Sequence, residues 1–461
     1  MASTAMTGHL WWRGAGSNLR PSGYVLGRSL CWPGGPAAGT VGSLMQSEQN
    51  QSKSNLIRRG AALMAAMAVS LAALGVAPAA AEGPTPQACD GFDVDAGRVN
   101  PGARPASPGL AGRCLRINQI QVMGTHNSYK LDTTPEILQA LFALDPVLAP
   151  ELEYRHVGLA EQFDAQEVRQ IELDVFADPD GGLYTDRKAL QALGLPDEPA
   201  PALFEPGFKV LHVQEVDFNS SCLTLMECLG QVEAWSDAHP RHLPISILIE
   251  LKDEDIPDPL NLGFVSPIHI GADELDALDA EIAAAFEPGD LITPDQVRGD
   301  HPTLDAAVRS DGWPTLRDAR GKVILVMDNG GPVRDLYREG RPALEGRPIF
   351  TNADPGDADA AFVKVNDPEG NEAYIQSLVA DGYLVRTRSD TPTVEARSGD
   401  TTRLQAALVS GAQWVSTDYP VPGSSEFSDY VAQIPGGEPA RCNPVNTGPR
   451  CASSLLERLR G

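Results

Sequence analysis

The sequence predicts an α/β protein whose parallel strands close into a (β/α)8 barrel. Three observations carry this expectation. Eight short apolar runs of strand length lie between Ile117 and Ser416, separated by helix-like or loop segments. Strand–helix alternation repeated that often implies parallel strands, and eight of them imply closure. The first four runs each end in a charged or imidazole group, at the end of a strand where such barrels keep their sites. An open doubly wound sheet is the competing fold. It would place a glycine-rich phosphate loop after its first strand, and none is present.

The chain opens with residues that belong to no fold. Lys53, Arg58 and Arg59 form a basic region, Ala61 to Val76 is apolar, and Ala79-Ala80-Ala81 supplies the small residues of a cleavage site. Residues 1–81 therefore read as a signal-containing presequence cut after Ala81, and the product as secreted or periplasmic. Met45 is a candidate start, because residues 1–44 sit oddly upstream of such a signal. A membrane anchor is disfavoured, since the run is short, rich in alanine and ends at the small-residue site. Residues 82–113 are rich in Pro and Gly and read as a lead-in, 114–420 as the barrel, and 421–461 as a tail.

The eight strands are expected at Ile117–Met123, Gln170–Phe176, Lys209–Gln214, Ile245–Leu251, Val323–Met327, Ala361–Val365, Tyr383–Thr387 and Gln413–Ser416. Helical patterns lie between them, as at Thr134–Ala143 and Ala272–Ala285. Pro348–Asn352 is a further strand candidate, which makes the passage from the fifth strand to the sixth ambiguous. Two proline-bearing insertions, 178–207 and 253–271, follow the second and fourth strands and belong on the face where substrate selection occurs.

Charge and cysteine content narrow the function. The chain holds 36 basic and 62 acidic residues; removing 1–81 takes away six and one, leaving 30 and 61, a net charge of −31. Such a surface repels nucleic acid and anionic bilayers, so an anionic lipid substrate would need a divalent cation or a basic patch, with only transient membrane contact. No protein partner is implied. Six cysteines follow the cut, an even number in an exported chain, and their clustering favours the pairs 89–114, 222–228 and 442–451.

The chemistry-bearing residues sit at strand ends. His126 and Asn127 follow the first strand, and Glu172 and Asp174 are two apart on the second, so both carboxylates leave one face. His212 falls near the end of the third strand, and Glu250 and Lys252 share a face on the fourth. Lys252 and Lys364, on inward-facing positions of the fourth and sixth strands, and Arg386 or Arg388 near the seventh could contact phosphate, or could be rim charges. Each residue alone has an ordinary structural explanation; their coincidence at one barrel mouth points to a shared active site. Two carboxylates in one mouth repel unless a cation or proton lies between them.

In this combination and order, His126-Asn127, Glu172-x-Asp174, His212 and Glu250 resemble the catalytic barrel of the calcium-dependent phosphoinositide-specific phospholipases C, above all the secreted bacterial branch. The resemblance covers residues 115–420 and implies a TIM barrel of the phospholipase-C-like phosphodiesterase type. It implies Ca2+ bound by Asn127, Glu172, Asp174 and Glu250, an all-oxygen set of the kind Ca2+ prefers. It implies catalysis by His126 and His212: attack of the inositol 2-hydroxyl on its own phosphate, protonation of the leaving diacylglycerol by His212, then slower opening of the cyclic phosphate by water. The initial base is left open among His126, Glu172 and Asp174.

The departures from the family are equally specific. No calcium-sensor loop is present, since Asp93-Val94-Asp95 lacks the remaining ligands, and no basic cluster for 4- and 5-phosphates is evident. The expected substrate is therefore phosphatidylinositol or a soluble inositol phosphodiester. A glycerophosphodiester phosphodiesterase is the rival enzyme, but it carries Arg where this chain has Asn127. A non-catalytic barrel that binds Ca2+ or a headgroup is the rival of another class. The metal-free bacterial phospholipases carry Arg where this chain has Asp174.

Overall fold

The computed structural model describes Cys89 and residues 107–457. The expected signal segment and most of the lead-in lie outside the described residues. Among the described residues no helix is long and apolar enough to cross a membrane.

Among the described residues ten strands form one sheet: β1 (Ile120–Thr125), β2 (Gln170–Phe176), β3 (Lys209–Val210), β4 (Ile245–Leu251), β5 (Val323–Met327), β6 (Ile349–Phe350), β7 (Phe362–Lys364), β8 (Leu384–Arg388), β9 (Trp414–Thr417) and β10 (Ala440–Cys442). The hydrogen-bonded order is β6-β5-β4-β2-β1-β9-β8-β7, with β3 and β10 branching from β2 and β1. A parallel bridge between Asn352 and Phe362, with Ala353 N donating to Phe362 O at 3.1 Å, joins the two ends. The result is an eight-stranded parallel barrel, as expected from the strand–helix alternation.

The first strand starts three residues later than expected, because Ile117–Gln119 form a 3-10 turn, and two further strands differ in kind. Lys209–Gln214 is not a barrel strand: only Lys209 and Val210 are extended, and they pair antiparallel with Phe176 and Val175. A parallel neighbour needs a long crossover, usually a helix. The 178–207 insertion instead folds back over the top of β2, carrying only a short helix at Lys188–Ala192 and a 3-10 turn at Pro201–Phe204. The true parallel neighbour of β2 is β4, reached through the helix Leu225–Ala238. The eighth barrel strand is β6, inside the Pro348–Asn352 candidate.

Alternation along β2 and β4 explains how the barrel is filled. Ile171, Leu173, Val175, Ile245, Ile247, Ile249 and Leu251 are buried in the main apolar core. The helices Leu225–Ala238 and Ala272–Ala285 bury Leu225, Cys228, Leu229 and Val232, and Leu275, Leu278 and Ile282, at helical spacing. The alternate residues build a buried polar chain: Ser416 Oγ bonds Gln170 Oε1, and Arg386 donates to Ser416 Oγ (2.9 Å) and to Glu172. Gly124 permits the approach of β1 to β2, because a Cβ there would lie 1.9 Å from Gln170 Oε1.

Only Gly124 and Gln170 pair directly in the β1–β2 ladder. Below that point the edge of β1 is taken by β10, which pairs antiparallel from Ile120–Cys442 to Val122–Ala440. At the base, Arg169 donates to Glu457 through Nε (3.0 Å) and Nη2 (2.8 Å), with both side chains buried. Disulfides join Cys89 to Cys114, Cys222 to Cys228 and Cys442 to Cys451, the local pairs expected from their clustering. Three disulfides suit an oxidising compartment outside the cytosol.

Candidate active site

His126 leaves the top of β1, its backbone N donating to Thr417 O at the end of β9 (3.2 Å). That seam brings it to Asp418, the first residue past β9. His126 Nδ1 lies 3.1 Å from Asp418 Oδ1, and Arg388 Nη1 lies 3.2 Å from His126 Nε2. Arginine can only donate, so Nε2 accepts and Nδ1 carries the proton shared with Asp418. Arg388 also donates to Asp418 Oδ2 (3.1 Å), and His156 Nε2 donates to the His126 carbonyl (2.8 Å). Burial, then the Arg388 charge, holds the His126 imidazole well below its ordinary pKa. Burial opposes the charge on Asp418, but His126, His156 and Arg388 outweigh it and keep the carboxylate ionised.

Asn127 adopts a left-handed backbone, φ 46°, a conformation asparagine tolerates better than most residues. Its Nδ2 donates to Tyr154 Oη (2.8 Å), while its buried Oδ1 has no hydrogen-bond partner. The turn is tied to β2, since Ser128 N donates to Glu172 O (3.0 Å) and Glu172 N to Ser128 Oγ (2.8 Å).

Glu172 and Asp174 project from β2, and Glu250 stands beside Asp174 in the β2–β4 register. One oxygen from each of the three carboxylates lies within 4.8 Å of the others. Asp174 is buried, and its Oδ1 has no hydrogen-bond partner. The nearest cations are Lys252, whose Nζ is 3.2 Å from both Asp174 Oδ2 and Glu250 Oε1, and Arg386 against Glu172. Burial pushes the Glu172 carboxyl up to about 7 and raises Asp174 as well, while Lys252, held by those carboxylates, stays firmly protonated despite burial. Three carboxylates thus face two cations. Together with the unpartnered Asn127 Oδ1 they form an oxygen-donor set that fits a hard divalent ion such as Ca2+ and offers zinc no nitrogen or sulfur.

His212 reaches the same mouth from the loop after β3, not from a barrel strand. Its Nδ1 lies 2.7 Å from Asp217 Oδ2, in a tight turn closed by the paired backbones of Val213 and Asp217. Burial, with the fields of Lys252 and Lys130, lowers its pKa, and Asp217 raises it. Asp217 Oδ1 accepts from Thr133 Oγ1 (2.6 Å). Two residues before Asp217, the Glu215 carboxylate accepts from Lys188 N (2.9 Å) and Val265 N, one on each long insertion. A cavity of about 510 Å³ opens on this side, between Leu131, Leu203, Phe218 and Leu223, away from the carboxylates.

The structure therefore gathers Glu172, Asp174, Glu250, Lys252 and Arg386 in one cluster, with His126 and Arg388 on one flank and His212 on the other. Lys364 pairs with Asp328 at the end of β5, whose charge Glu172 feels. Sequence reasoning missed Asp418, Asp217 and Tyr154, the groups that orient His126, His212 and Asn127. Asp418 carried a usable signal, as an acid one step beyond a recognised strand. Asp217 and Tyr154 carried none, because nothing local marks which loop carboxylate or phenol will face the mouth.

The family described as phosphoinositide phospholipase C, Ca2+-dependent, matches residues 115–444. Comparison with curated proteins found no match. Among solved structures, the chain is 18% identical to a calcium-dependent phosphoinositol-specific phospholipase C from Pseudomonas sp., over 72% of this chain and 96% of that one, with a TM-score of 0.45. It is 19% identical to a Ca2+-dependent phosphatidylinositol-specific phospholipase C from Streptomyces antibioticus, over 66% and 95%, with a TM-score of 0.42.

Proposed function

Since the chain belongs to the Ca2+-dependent phosphoinositide phospholipase C family, we propose that it is an exported enzyme that cleaves phosphatidylinositol, or a soluble inositol phosphodiester, by attack of the inositol 2-hydroxyl on the adjacent phosphate. One observation carries this reading: a buried oxygen-donor cluster flanked by two histidines, each with Nδ1 bound to its own aspartate. Two oriented imidazoles on either side of a cation site suit an in-line displacement, in which one group handles the entering oxygen and the other the leaving one.

Asn127, Glu172, Asp174 and Glu250 are the residues that would hold Ca2+, which when bound acidifies a neighbouring hydroxyl and offsets charge on the phosphoryl oxygens. The proton that the 2-hydroxyl loses as its oxygen bonds to phosphorus passes to a base of the mouth, either the Nε2 of the neutral His126 or a carboxylate of Glu172 or Asp174. Arg388 and Arg386 are fixed cations at the mouth, suited to phosphate oxygens as bidentate donors. His212 donates its Nε2 proton to the departing glycerol oxygen, and Asp217 stabilises the imidazolium that precedes the transfer. Asn127 favours this chemistry over glycerophosphodiester hydrolysis, because the amide leaves an oxygen for the cation where that rival carries an arginine.

³¹P NMR of the folded protein with phosphatidylinositol micelles tests the proposal. A cyclic-phosphate signal that appears with Ca2+ and vanishes with chelator is the expected outcome. Cyclic product that survives chelation refutes the role given to the carboxylates. Glycerol phosphate without a cyclic intermediate points to the rival phosphodiesterase.

A further inference from the structure

Lys130 lies four residues after His126, on the turn that leaves β1, and its side chain is fully buried. Buried lysines are rare and need partners. Here Nζ donates to the carbonyl oxygens of Leu131 (3.1 Å), Leu152 (3.0 Å) and Tyr154 (2.9 Å), and lies 3.3 Å from Asp217 Oδ2. It also sits 4.7 Å from the centre of the Tyr154 ring. The two residues it joins lead to opposite flanks of the site. Tyr154 Oη accepts from Asn127 Nδ2, and Asp217 accepts from His212 Nδ1. The backbone follows the same path, with His156 N donating to Lys130 O (2.8 Å) and Lys130 bridged to Ser220.

We propose that Lys130 is a positioning residue that couples the two flanks, its ammonium anchoring Asp217 so that His212 keeps Nδ1–H toward Asp217 and presents Nε2 to the substrate. The inference rests on the reading of His212 as the proton donor. A buried ion pair is weak evidence of stabilisation, because desolvation consumes much of its attraction. An apolar side chain would fill this space without that cost, so the cation is better explained by what it holds. Burial works against a charged Asp217, yet Lys130, then His212, keeps the carboxyl below its ordinary range. Without Lys130, Asp217 loses the cation that fixes Oδ2, the oxygen that also accepts from His212 Nδ1, and the carboxylate no longer holds the imidazole in one orientation.

The test is a double-mutant cycle with Lys130→Met and Asp217→Asn, with His212→Ala as reference. Lys130→Met is expected to lower kcat about 100-fold, the scale of one proton-transfer group, with KM changed less than about threefold. The double variant is expected to be no slower than Asp217→Asn alone, since both changes disable one unit. The pH profile gives a readout that a purely structural lysine would not move. The charged groups facing His212 are Asp217, Lys252 and Lys130. Losing Lys130 removes a cation that favours the neutral ring, so the alkaline limb of kcat should move to higher pH. Losses that multiply in the double variant, or a limb that stays in place, overturn the proposal. If Lys130→Met alone does not fold, the double variant removes the pair together, and its kcat against that of Asp217→Asn decides. An active His212→Ala would refute the functional reading itself; an inactive His212→Ala beside a fully active Lys130→Met would refute only this inference.

Discussion

Each flanking imidazole has one nitrogen committed to an aspartate, and that commitment sets what the other nitrogen can do. Asp418→Asn preserves shape but offers His126 an amide, which can stabilise the wrong tautomer. It should lower kcat on the order of 10²–10⁴-fold with little change in KM, measured by steady-state kinetics on protein shown to be folded by circular dichroism. His212 makes a pH prediction. Its pKa is depressed by burial, Lys252 and Lys130, and the proposed reaction uses its acid form. The protonated fraction is full at low pH and is lost as pH rises through that depressed value, so kcat/KM should begin to fall on the acid side of the ordinary histidine range. A bound phosphate anion stabilises the imidazolium, so the limb in kcat should lie at higher pH than the limb in kcat/KM. At this scale the gathering of the candidate residues was legible, because His126-Asn127, Glu172-x-Asp174 and Glu250 stand on or directly beside recognisable strands. Their orienting partners were not: His126 meets Asp418 across 292 residues, a contact that the closed barrel creates and no local pattern encodes.

At the scale of elements, length decided what could be read. β2 and β4 are seven residues each, long enough for Glu172, Asp174 and Glu250 to be set against apolar neighbours and assigned to the inward face. β6 is two residues long, too short to show a period, and was recognisable only as an apolar pair after Pro348. Lys209–Gln214 had the composition of a strand but lacked a preceding helical crossover, which is why it became a hairpin-like return over β2. That return is what delivers His212 to the mouth, so the residue reached the expected place by a different route. It also delivers Glu215, whose carboxylate holds backbone N–H groups of both long insertions. Glu215→Ala leaves both groups without their acceptor. It should make the bonds after Arg187 and Lys188 at least about tenfold more sensitive to limited trypsin digestion, followed by mass spectrometry, while global unfolding changes little.

At the scale of the molecule, the polar chain through the barrel and the ion pair beneath it tie the mouth to the base. Glu457 meets Arg169, which also donates to the carbonyls of Phe163 (3.0 Å) and Val168 (2.6 Å). Glu457→Gln would strand a buried guanidinium and should cost about 3–5 kcal/mol, read as a lower midpoint in urea unfolding. The mouth is distant from this change, so kcat of the folded fraction should be unchanged. The pairing of β10 with β1 has a consequence for the order in which the protein is made. The first strand of the barrel waits for a partner that is synthesised about 320 residues later, as Gln121 waits for Arg441. Until then half of its edge is an open template for other chains. A polypeptide emerging in sequence order therefore cannot complete the pairing of its first barrel strand until Cys442 has been translated.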